Sequence, residues 1–211
     1  MSDFEDHREA AADDAVPVRK RPRPGERRQQ ILQTLAGMLE QPGAERITTA
    51  GLAGKIGVSE AALYRHFASK AQMFEALIDF VEQSAFGLIR QVTDREPAGP
   101  HQAGRIVGLM LQFAEKNPGM CRVMTGDALV LEHERLQERI NLLFDKIEAQ
   151  LRQSLRVSES ATPTADAQLA ASLLVAFMQG RLQRFARSGF RRLPSEHLQP
   201  ALARLLGTES R

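Results

Sequence analysis

Apolar residues recur at intervals of three and four along most of the chain from Arg27 onward, which is the spacing of one face of an α-helix. The clearest stripe comprises Leu136, Ile140, Leu143, Ile147, Leu151 and Leu155. Similar stripes predict a first helix that ends by Gln41, a long helix over about 70–92, one around 106–114, and two more over about 167–188 and 195–206.

Polar and helix-breaking segments separate these predicted helices. The first helix ends at Gln41-Pro42-Gly43, and a middle one stops at Asn117-Pro118-Gly119, because proline cannot continue a helix interior. Residues 94–100 and 157–166 are expected to be polar loops. The strict alternation typical of a strand is found nowhere convincingly, so the pattern predicts an all-α protein.

The segment ITTAGLAGKIGVSEAALYRHF, between the first helix and the long one, has the pattern of a helix-turn-helix. Thr48 can cap one helix through its hydroxyl group, and Ser59 can cap the next. Gly57 lies where the chain must turn sharply, and a residue without a Cβ adopts positive φ readily. Leu63 then lies under the second helix. This combination predicts a unit that reads DNA.

With Leu63 and Phe67 turned to the core, the other side of this short helix faces solvent. Tyr64 is the only tyrosine of the chain; facing outward, it can rest its ring on a sugar and donate its hydroxyl to a phosphate. Small alanines let such a helix sit deep in the major groove. The competing interpretation is an ordinary helical hairpin with an exposed tyrosine. The predicted DNA contacts are Thr48, Thr49, Ser59, Glu60, Ala61, Tyr64, Arg65, His66 and Lys70.

The formal net charge of +2 is unevenly distributed. Residues 1–16 hold six acidic residues and one arginine, whereas residues 17–28 hold six basic residues and one glutamate. Prolines and a glycine prevent a regular helix there, so residues 1–25 are predicted to form a mobile arm. A basic run beside a folded domain suggests a polyanionic partner, although a solvated tail explains it equally well.

The composition and motifs indicate no enzyme. The five histidines are scattered, none is paired with a carboxylate or with Cys121 at ligand spacing, and phosphate loops and Ser/His/Asp arrangements are absent. No catalytic centre, metal site or cofactor is therefore predicted, and Cys121 is expected to be a buried thiol. No apolar run reaches the roughly 18 to 20 residues that span a bilayer, and the acidic start lacks a signal peptide, so a cytoplasmic location is expected.

The helix-turn-helix segment resembles the TetR family of transcriptional regulators, and the resemblance covers about 27–75. It implies an N-terminal three-helix DNA-binding domain, here 26–72, and a C-terminal helical dimerisation domain, here 73–211. The helices over 167–188 and 195–206 would form the homodimer contact, and the DNA site would be palindromic. The matching residues are Thr48, Leu52-Ala53, Gly57-Val58-Ser59, Leu63-Tyr64, His66-Phe67 and Lys70.

A closer resemblance runs from about Arg27 to Phe190 and is to the SlmA-like nucleoid occlusion factors within that family. It implies a nucleoid-associated protein that DNA activates as an antagonist of FtsZ, the tubulin-like division GTPase. Such a protein engages the C-terminal tail of FtsZ and disrupts its polymers, so that the septum does not close over the chromosome. The segments that carry the resemblance are RRQQILQTLAGMLE, RITTAGLA, GVSEAALYRHFASK, EKNPGM, TGDAL and ERLQERINLLFDKIEAQLRQ.

This resemblance also implies a binding groove for the FtsZ tail between the fourth and fifth helices. Phe80 and Asn117 match residues of that groove, Leu109 lines it, and Lys116 stands where the family carries an arginine. Lysine keeps the charge but loses the planar fork of arginine. Leu88 departs from the pattern, since a basic residue is expected there, and the nearby Arg90 is the candidate to replace it. Without the resemblance, Phe80 would be interpreted as a core residue.

The alternative function is a ligand-responsive TetR-type transcriptional repressor. In that case the C-terminal domain would hold an apolar metabolite and shift the spacing of two recognition helices, which must lie about 34–36 Å apart to enter successive major grooves. The chain has no tryptophan, and its single tyrosine is assigned to DNA. Little is therefore left to build a selective pocket, although purely aliphatic pockets exist.

Overall fold

The structure, a computed structural model, describes residues 25–41, 47–156 and 163–208. This part of the chain contains no β-strand, which confirms the all-α prediction; the predicted arm, apart from Gly25, lies outside it. A 3₁₀ turn, Asp127–Leu129, precedes the seventh helix. The helices are α1 Glu26–Leu39, α2 Thr49–Ile56, α3 Glu60–Tyr64, α4 Lys70–Thr93, α5 Pro100–Lys116, α6 Pro118–Met124, α7 Glu134–Leu155, α8 Pro163–Arg187 and α9 Leu198–Leu206.

The first three helices pack their apolar faces together, and these faces belong to the same hydrophobic core as the rest of the described residues. Ile31 and Leu35 from α1, Leu52 from α2 and Leu63 from α3 are all buried. Phe67, just after α3, is also buried, and the guanidinium carbon of Arg28 lies 4.2 Å from its ring centroid. This packing fixes α3 against α1 and α2 and leaves the opposite side of α3 in solvent.

Helix α4 joins this small domain to the rest of the molecule. It contains 24 residues, so it extends about 36 Å. Its buried stripe packs first near α1 and then against α5, α6 and α7. The prediction of one long helix over about 70–92 is confirmed.

The chain does not loop out at Asn117-Pro118-Gly119, where the sequence predicted a stop. Helix α5 ends at Lys116, and α6 begins at Pro118, directly after the single non-helical residue Asn117. Proline is well tolerated in the first turn of a helix, where its missing N–H would have no intrahelical partner. The proline therefore redirects one helix into another instead of opening a loop.

Helices α7 and α8 form a long antiparallel pair. Arg152 near the end of α7 bonds Gln168 near the start of α8 at 2.8 Å, while Gln137 and Ile140 line the same depression as Gln183 near the end of α8. The predicted loop over 157–166 is wrong for its last four residues, because α8 already begins at Pro163, again with proline in the first turn. The rest of that predicted loop lies outside the described residues.

Ion pairs place the start of α7 alongside the start of α4. Arg135 pairs with Glu75 at 2.6 Å, and Arg139 pairs with Asp79 at 2.8 Å. Because α8 runs antiparallel to α7, the end of α8 lies at the same end of the molecule as the start of α4. We call this end, which carries the helix-turn-helix, the DNA-binding end.

Helix α8 has two apolar stripes, and the described residues bury one of them. Leu174, Met178, Leu182 and Phe185 belong to the buried stripe. The stripe from which the sequence predicts this helix faces largely outward: Leu169 is 63% exposed and Leu173 48% exposed. The apolar face of α9 differs, since its Leu198 and Leu202 are buried beside Gly104 and Gly108 of α5.

Candidate DNA-binding interface and partner cleft

The helix-turn-helix is held by local capping bonds. The Thr48 hydroxyl accepts a hydrogen bond from the Gly51 amide at 3.0 Å and thereby caps α2. Helix α2 ends at Gly57, whose φ of 75° and ψ of 43° are left-handed. The amides of Gly57 and Val58 both return to the Ala53 carbonyl, at 2.9 and 3.0 Å. Glycine suits this turn because a Cβ would disfavour the conformation.

Helix α3 presents its polar side to solvent, as predicted. The Ser59 hydroxyl accepts from the Ala62 amide at 3.3 Å and caps the helix. Leu63 is fully buried, whereas Tyr64 is 46% exposed. The interpretation of α3 as a recognition helix required an outward phenol, and the structure has one. The predicted contact residues Ser59, Glu60, Ala61, Tyr64, Arg65 and His66 are all exposed.

Two of the predicted DNA contacts bond each other. The hydroxyl of Thr49 in the first turn of α2 donates to a carboxylate oxygen of Glu60 at 2.6 Å. This bond ties the start of α2 to the start of α3, so it fixes the angle between the two helices. The Glu60 carboxylate also lies in the first turn of α3, where it complements the helix dipole. Glu60 therefore helps to position α3, and its predicted contact with DNA stays a prediction.

Lys70 begins α4 next to the recognition unit, and Ser69 caps that helix through a bond from the Gln72 amide at 3.1 Å. The Lys70 ammonium group forms an ion pair with Glu132, which lies just before α7. The Glu132 side chain is only 10% exposed, so removing its partner would leave a nearly buried carboxylate unpaired. Lys70 thus links the start of α4 to the segment before α7 and still lies at the DNA-binding end.

A cleft of about 290 Å³ lies where α1, α4 and α6 meet. Phe80 projects from α4 and is 48% exposed, which contradicts its interpretation as a core residue. Its ring centroid lies 6.1 Å from that of Phe113, and the Asn117 side-chain amide donates to the Phe113 carbonyl at 2.8 Å. Phe80 and Asn117 are therefore brought together. The remaining cleft residues are Gln29, Leu32, Gln33, Ala36, Glu40, Ala76, Leu77 and Met120.

The other two predicted partner residues lie outside this cleft. Leu109 is half-buried and lines a separate depression of about 260 Å³ between α5 and α9, next to Leu202 and Leu206. Lys116 is exposed at the last residue of α5. The structure thus divides the predicted groove into two concave surfaces, with Phe80 and Asn117 on one and Leu109 on the other.

Comparison with known proteins decides the family. Residues 31–77 match the model of the bacterial regulatory proteins of the tetR family, and residues 102–206 match an SlmA-like model, the tetracyclin repressor-like C-terminal domain. The nucleoid occlusion factor SlmA of Alteromonas mediterranea is 50% identical over 173 residues, which cover 81% of this chain and 89% of that protein. The chain belongs to the SlmA family of nucleoid occlusion factors.

Further comparisons agree with this SlmA assignment. The nucleoid occlusion factor SlmA of Edwardsiella ictaluri is 51% identical over 177 residues, covering 82% of this chain and 89% of that protein. The solved structure of a TetR-like transcriptional regulator from Rhodococcus sp. RHA1 matches the fold with a TM-score of 0.70 at 20% identity, over 90% of this chain and 100% of that chain. The TetR-like fold expected from the sequence is confirmed.

Several contacts in this SlmA-family structure were not apparent from the sequence. Glu132 is 62 residues from Lys70, and no local pattern links the two. Gly119 lies against α1 so closely that an added Cβ would be 2.3 Å from the Ala36 carbonyl oxygen. A glycine directly after Asn117-Pro118 was a visible signal for a close contact, but the sequence does not name the partner helix.

Cys121 is buried, as predicted, and its thiol lies 3.5 Å from the Leu182 carbonyl oxygen. Burial raises the pKa of the thiol to about 12, and the nearby Asp127 carboxylate contributes to that rise. Within the described ranges, no three His, Cys, Asp or Glu side chains are grouped so that they could hold a metal ion. No helix in the described part of this SlmA-family chain is long and apolar enough to cross a membrane.

Proposed function

We propose that this protein is a homodimeric, sequence-specific DNA-binding protein that acts as a nucleoid occlusion factor. The outward face of α3, with Tyr64 46% exposed beside Arg65, is the observation that carries the DNA-binding part. Residues 26–72 would be the DNA-binding domain and residues 73–211 the dimerisation and regulatory domain, with α4 shared between them. Binding to the chromosome would keep the protein in the cytoplasm at the nucleoid.

Support for major-groove binding comes from the shape and charge of α3. Ala61 is small and exposed, so the helix can approach base edges closely. Tyr64 and Arg65 flank it with groups that can donate to phosphates. His66, exposed after the end of the helix, extends the same face. Thr48 and Ser59 use their hydroxyl groups for capping, so their contribution would be to hold the two helix starts near the backbone.

The exposed stripe of α8 supports a homodimer. Leu169 and Leu173 are large apolar side chains on a helix face that no described residue covers, and the exposed Gly180 continues that face. Burying such a stripe against its copy would stabilise the dimer by about 25 cal/mol for each Å² of apolar surface removed from water. Because the apolar face of α9 is already covered by α5, we assign the contact mainly to α8. A twofold dimer explains a palindromic site.

The cleft at α1, α4 and α6 supports a partner site for the FtsZ tail. An exposed phenylalanine next to a bonded asparagine offers an apolar anchor and an oriented amide, which is what an extended peptide needs. One wall of this cleft is α1, a helix of the DNA-binding domain. DNA that fixes the position of α1 would therefore also fix the shape of the cleft. This link gives a physical route for DNA to activate the antagonism of FtsZ.

The test is FtsZ polymerisation with GTP followed by light scattering. Addition of this protein with its cognate duplex should lower the scattering, whereas the protein with a scrambled duplex should have a much smaller effect. Phe80→Ala should keep DNA affinity and lose most of the effect on FtsZ. Leu109→Ala is the matched comparison, because Leu109 was also predicted for the groove but lies on the other depression.

The outcomes separate the two candidate functions. Unchanged FtsZ polymers in the presence of saturating cognate duplex would contradict the nucleoid occlusion role and favour the ligand-responsive repressor. Equal losses for Phe80→Ala and Leu109→Ala would instead indicate that the tail spans both depressions. A wild-type protein with no preference for any palindrome would contradict the DNA-binding assignment itself.

A further inference from the structure

Four arginines form an exposed basic cluster at the end of α8. Arg184 and Arg187 lie in the last two turns of the helix, and Arg191 and Arg192 follow it. None of the four forms an ion pair with a carboxylate in the described part of the chain. Glu196, the acid next along the chain, lies 3.8 Å from the His197 ring, and Asp127, which is distant in sequence, lies beside the Gln183 amide at 3.3 Å. We call these four residues the arginine patch.

The arginine patch lies at the DNA-binding end of the molecule. Glu132, one residue before the cap of α7, pairs with Lys70 at the start of α4. Gln137, one turn into α7, shares a depression with Gln183 of α8. Since the two helices are antiparallel, the residues after Gln183 continue toward the level of Glu132 and Lys70. The patch is therefore on the same side as the predicted phosphate contacts.

The patch also continues the exposed apolar stripe of α8. Residues 169, 173, 176, 180, 184 and 187 follow one another at steps of four and three, so they lie on one face. This face is apolar in its first half and basic in its last two turns. If the apolar half pairs two protomers, Arg184 and Arg187 of both copies approach the same twofold axis. Like charges at an axis are unfavourable unless an anion lies between them.

The turn after α8 is built to hold the other two arginines. Gly189 and Phe190 both have φ of 63°, and a residue with a side chain rarely adopts this conformation. The Phe190 ring packs 5.1 Å from the Phe185 ring, which holds the turn in place. The Ser188 hydroxyl accepts hydrogen bonds from the amides of Arg191 and Arg192, at 3.0 and 2.9 Å. The backbone of the patch is thus fixed.

We propose that the arginine patch is a second phosphate-binding surface, which neutralises the DNA backbone between the two half-sites; this rests on the proposed DNA-binding function. In a helix-turn-helix dimer, the duplex between the two major-groove contacts passes across the twofold axis. The patch lies near that axis and at the DNA-binding end. Its four arginines, doubled in a dimer, match a backbone that carries one charge per about 1.7 Å. Arginine is also suited to bidentate phosphate contacts.

The experiment compares two variants that remove the same charge. The patch variant is Arg184→Gln/Arg187→Gln/Arg191→Gln/Arg192→Gln. The control changes four exposed arginines at the far ends of α4 and α7, namely Arg90→Gln/Arg95→Gln/Arg152→Gln/Arg156→Gln. A cognate palindrome is first selected from random duplexes with wild-type protein. Circular dichroism and sedimentation then confirm that both variants are folded dimers before affinity is measured over a range of salt concentrations.

The patch variant should bind the palindrome about 10- to 100-fold more weakly at about 0.15 M salt, and the slope of its salt dependence should be shallower by about one for each phosphate that it no longer neutralises. The control variant should stay within about threefold of wild type. A duplex with uncharged methylphosphonates between the half-sites should weaken wild-type binding and leave the patch variant unaffected. This last comparison is the most direct, because it changes the phosphates and the arginines independently.

Three results would overturn the proposal. Equal losses of affinity in both variants would mean that only net charge matters. An equal effect of the methylphosphonate duplex on wild type and patch variant would place the central phosphates away from the patch. Wild-type DNA affinity in the patch variant, together with loss of FtsZ antagonism, would assign the patch to an acidic protein partner. None of these depends on the half-site contacts, so the proposed function could still hold.

Discussion

The surface of the helix-turn-helix is shaped by contacts between sequence neighbours, whereas the cleft near Phe80 is shaped by the packing of residues that are distant in sequence. In the helix-turn-helix, the caps Thr48 and Ser59, the turn glycine and the buried Leu63 lie within sixteen residues, and each acts on its sequence neighbours. The cleft, in contrast, is lined by residues that are far apart in sequence, from α1 and α4 together with Asn117 and Met120. The two surfaces are nevertheless linked, because α1 contributes to both.

This difference predicts which substitutions should affect both the helix-turn-helix and the cleft, and which should affect only one of them. Substitution of the outward Tyr64 on α3 should alter only the proposed DNA face, since that side chain is 46% exposed. A substitution at the joint between α1 and α6 displaces a helix that supports both the helix-turn-helix and the cleft. The largest effect of all should come from the α8 stripe, because the proposed dimer contact would determine whether two DNA-binding domains act together.

Leu169→Glu should dissociate the dimer and weaken binding to a palindrome by about a thousandfold, because a monomer retains only one half-site. The physical cause is a charge placed in an apolar contact, where it would be desolvated without a partner. Sedimentation velocity gives the oligomeric state, and fluorescence anisotropy gives the affinity.

Leu131→Glu is the control for this dimer prediction. Both leucines are 63% exposed in the protomer, so a general effect of reduced surface hydrophobicity would be equal. Leu131 lies in the loop before α7, at the opposite end from Leu169, and this variant should remain a dimer. If both variants are dimers, or if both are monomers, α8 is excluded as the specific dimer contact.

Gly119→Ala should destabilise the protein by about 1–3 kcal/mol, because the new Cβ would lie 2.3 Å from the Ala36 backbone oxygen and force α1 away from α6. DNA binding and the proposed antagonism of FtsZ should fall together, since α1 belongs to the helix-turn-helix unit and also lines the proposed partner cleft. Urea denaturation followed by circular dichroism measures the loss of stability.

Gly37→Ala provides a matched control on α1 itself. Gly37 is also helical and is adjacent to Ala36, but its Cβ position has nothing within 4 Å. Alanine is favoured over glycine in a helix by up to about 1 kcal/mol, so this variant should be as stable as wild type or more so. A loss of stability in Gly119→Ala together with no loss in Gly37→Ala would support the close contact between α1 and α6. A change of the same sign in the free energy of unfolding of both variants would contradict it.

Tyr64→Ala should weaken DNA binding about tenfold without changing stability, because the side chain is 46% exposed and is proposed to contact DNA rather than the core. Tyr64→Phe should lose only the part due to the hydroxyl group. A lower unfolding temperature for Tyr64→Ala, with unchanged affinity, would mean that the tyrosine packs rather than binds.

The sequence was most informative where the determining contacts are local. The helix-turn-helix follows from caps and a glycine turn, and α4 and α7 follow from unbroken apolar stripes. The start of α6 was missed because a proline after an asparagine reads as a stop, although proline also suits a first turn. The Lys70–Glu132 pair and the separation of Leu109 from Phe80 depend on how distant helices pack. Residue types alone do not encode these contacts in a readable pattern.

Substitution of Cys121 should have the smallest effect among these variants, and the reactivity of its thiol tests the packing of α6 against α8 most directly. With a pKa raised to about 12 from an ordinary 9.0, the native thiol at mildly alkaline pH has a thiolate fraction about a thousandfold below that of an exposed cysteine, and only the thiolate reacts. Alkylation by iodoacetamide should therefore be very slow in the native protein and rapid in urea. The same shift makes the folded state lose stability as pH rises from about 9 toward 12, because the unfolded thiol ionises first. Cys121→Ala, measured over that pH range, should lose this dependence. Rapid native alkylation would mean that α6 and α8 separate readily at the Cys121–Leu182 contact.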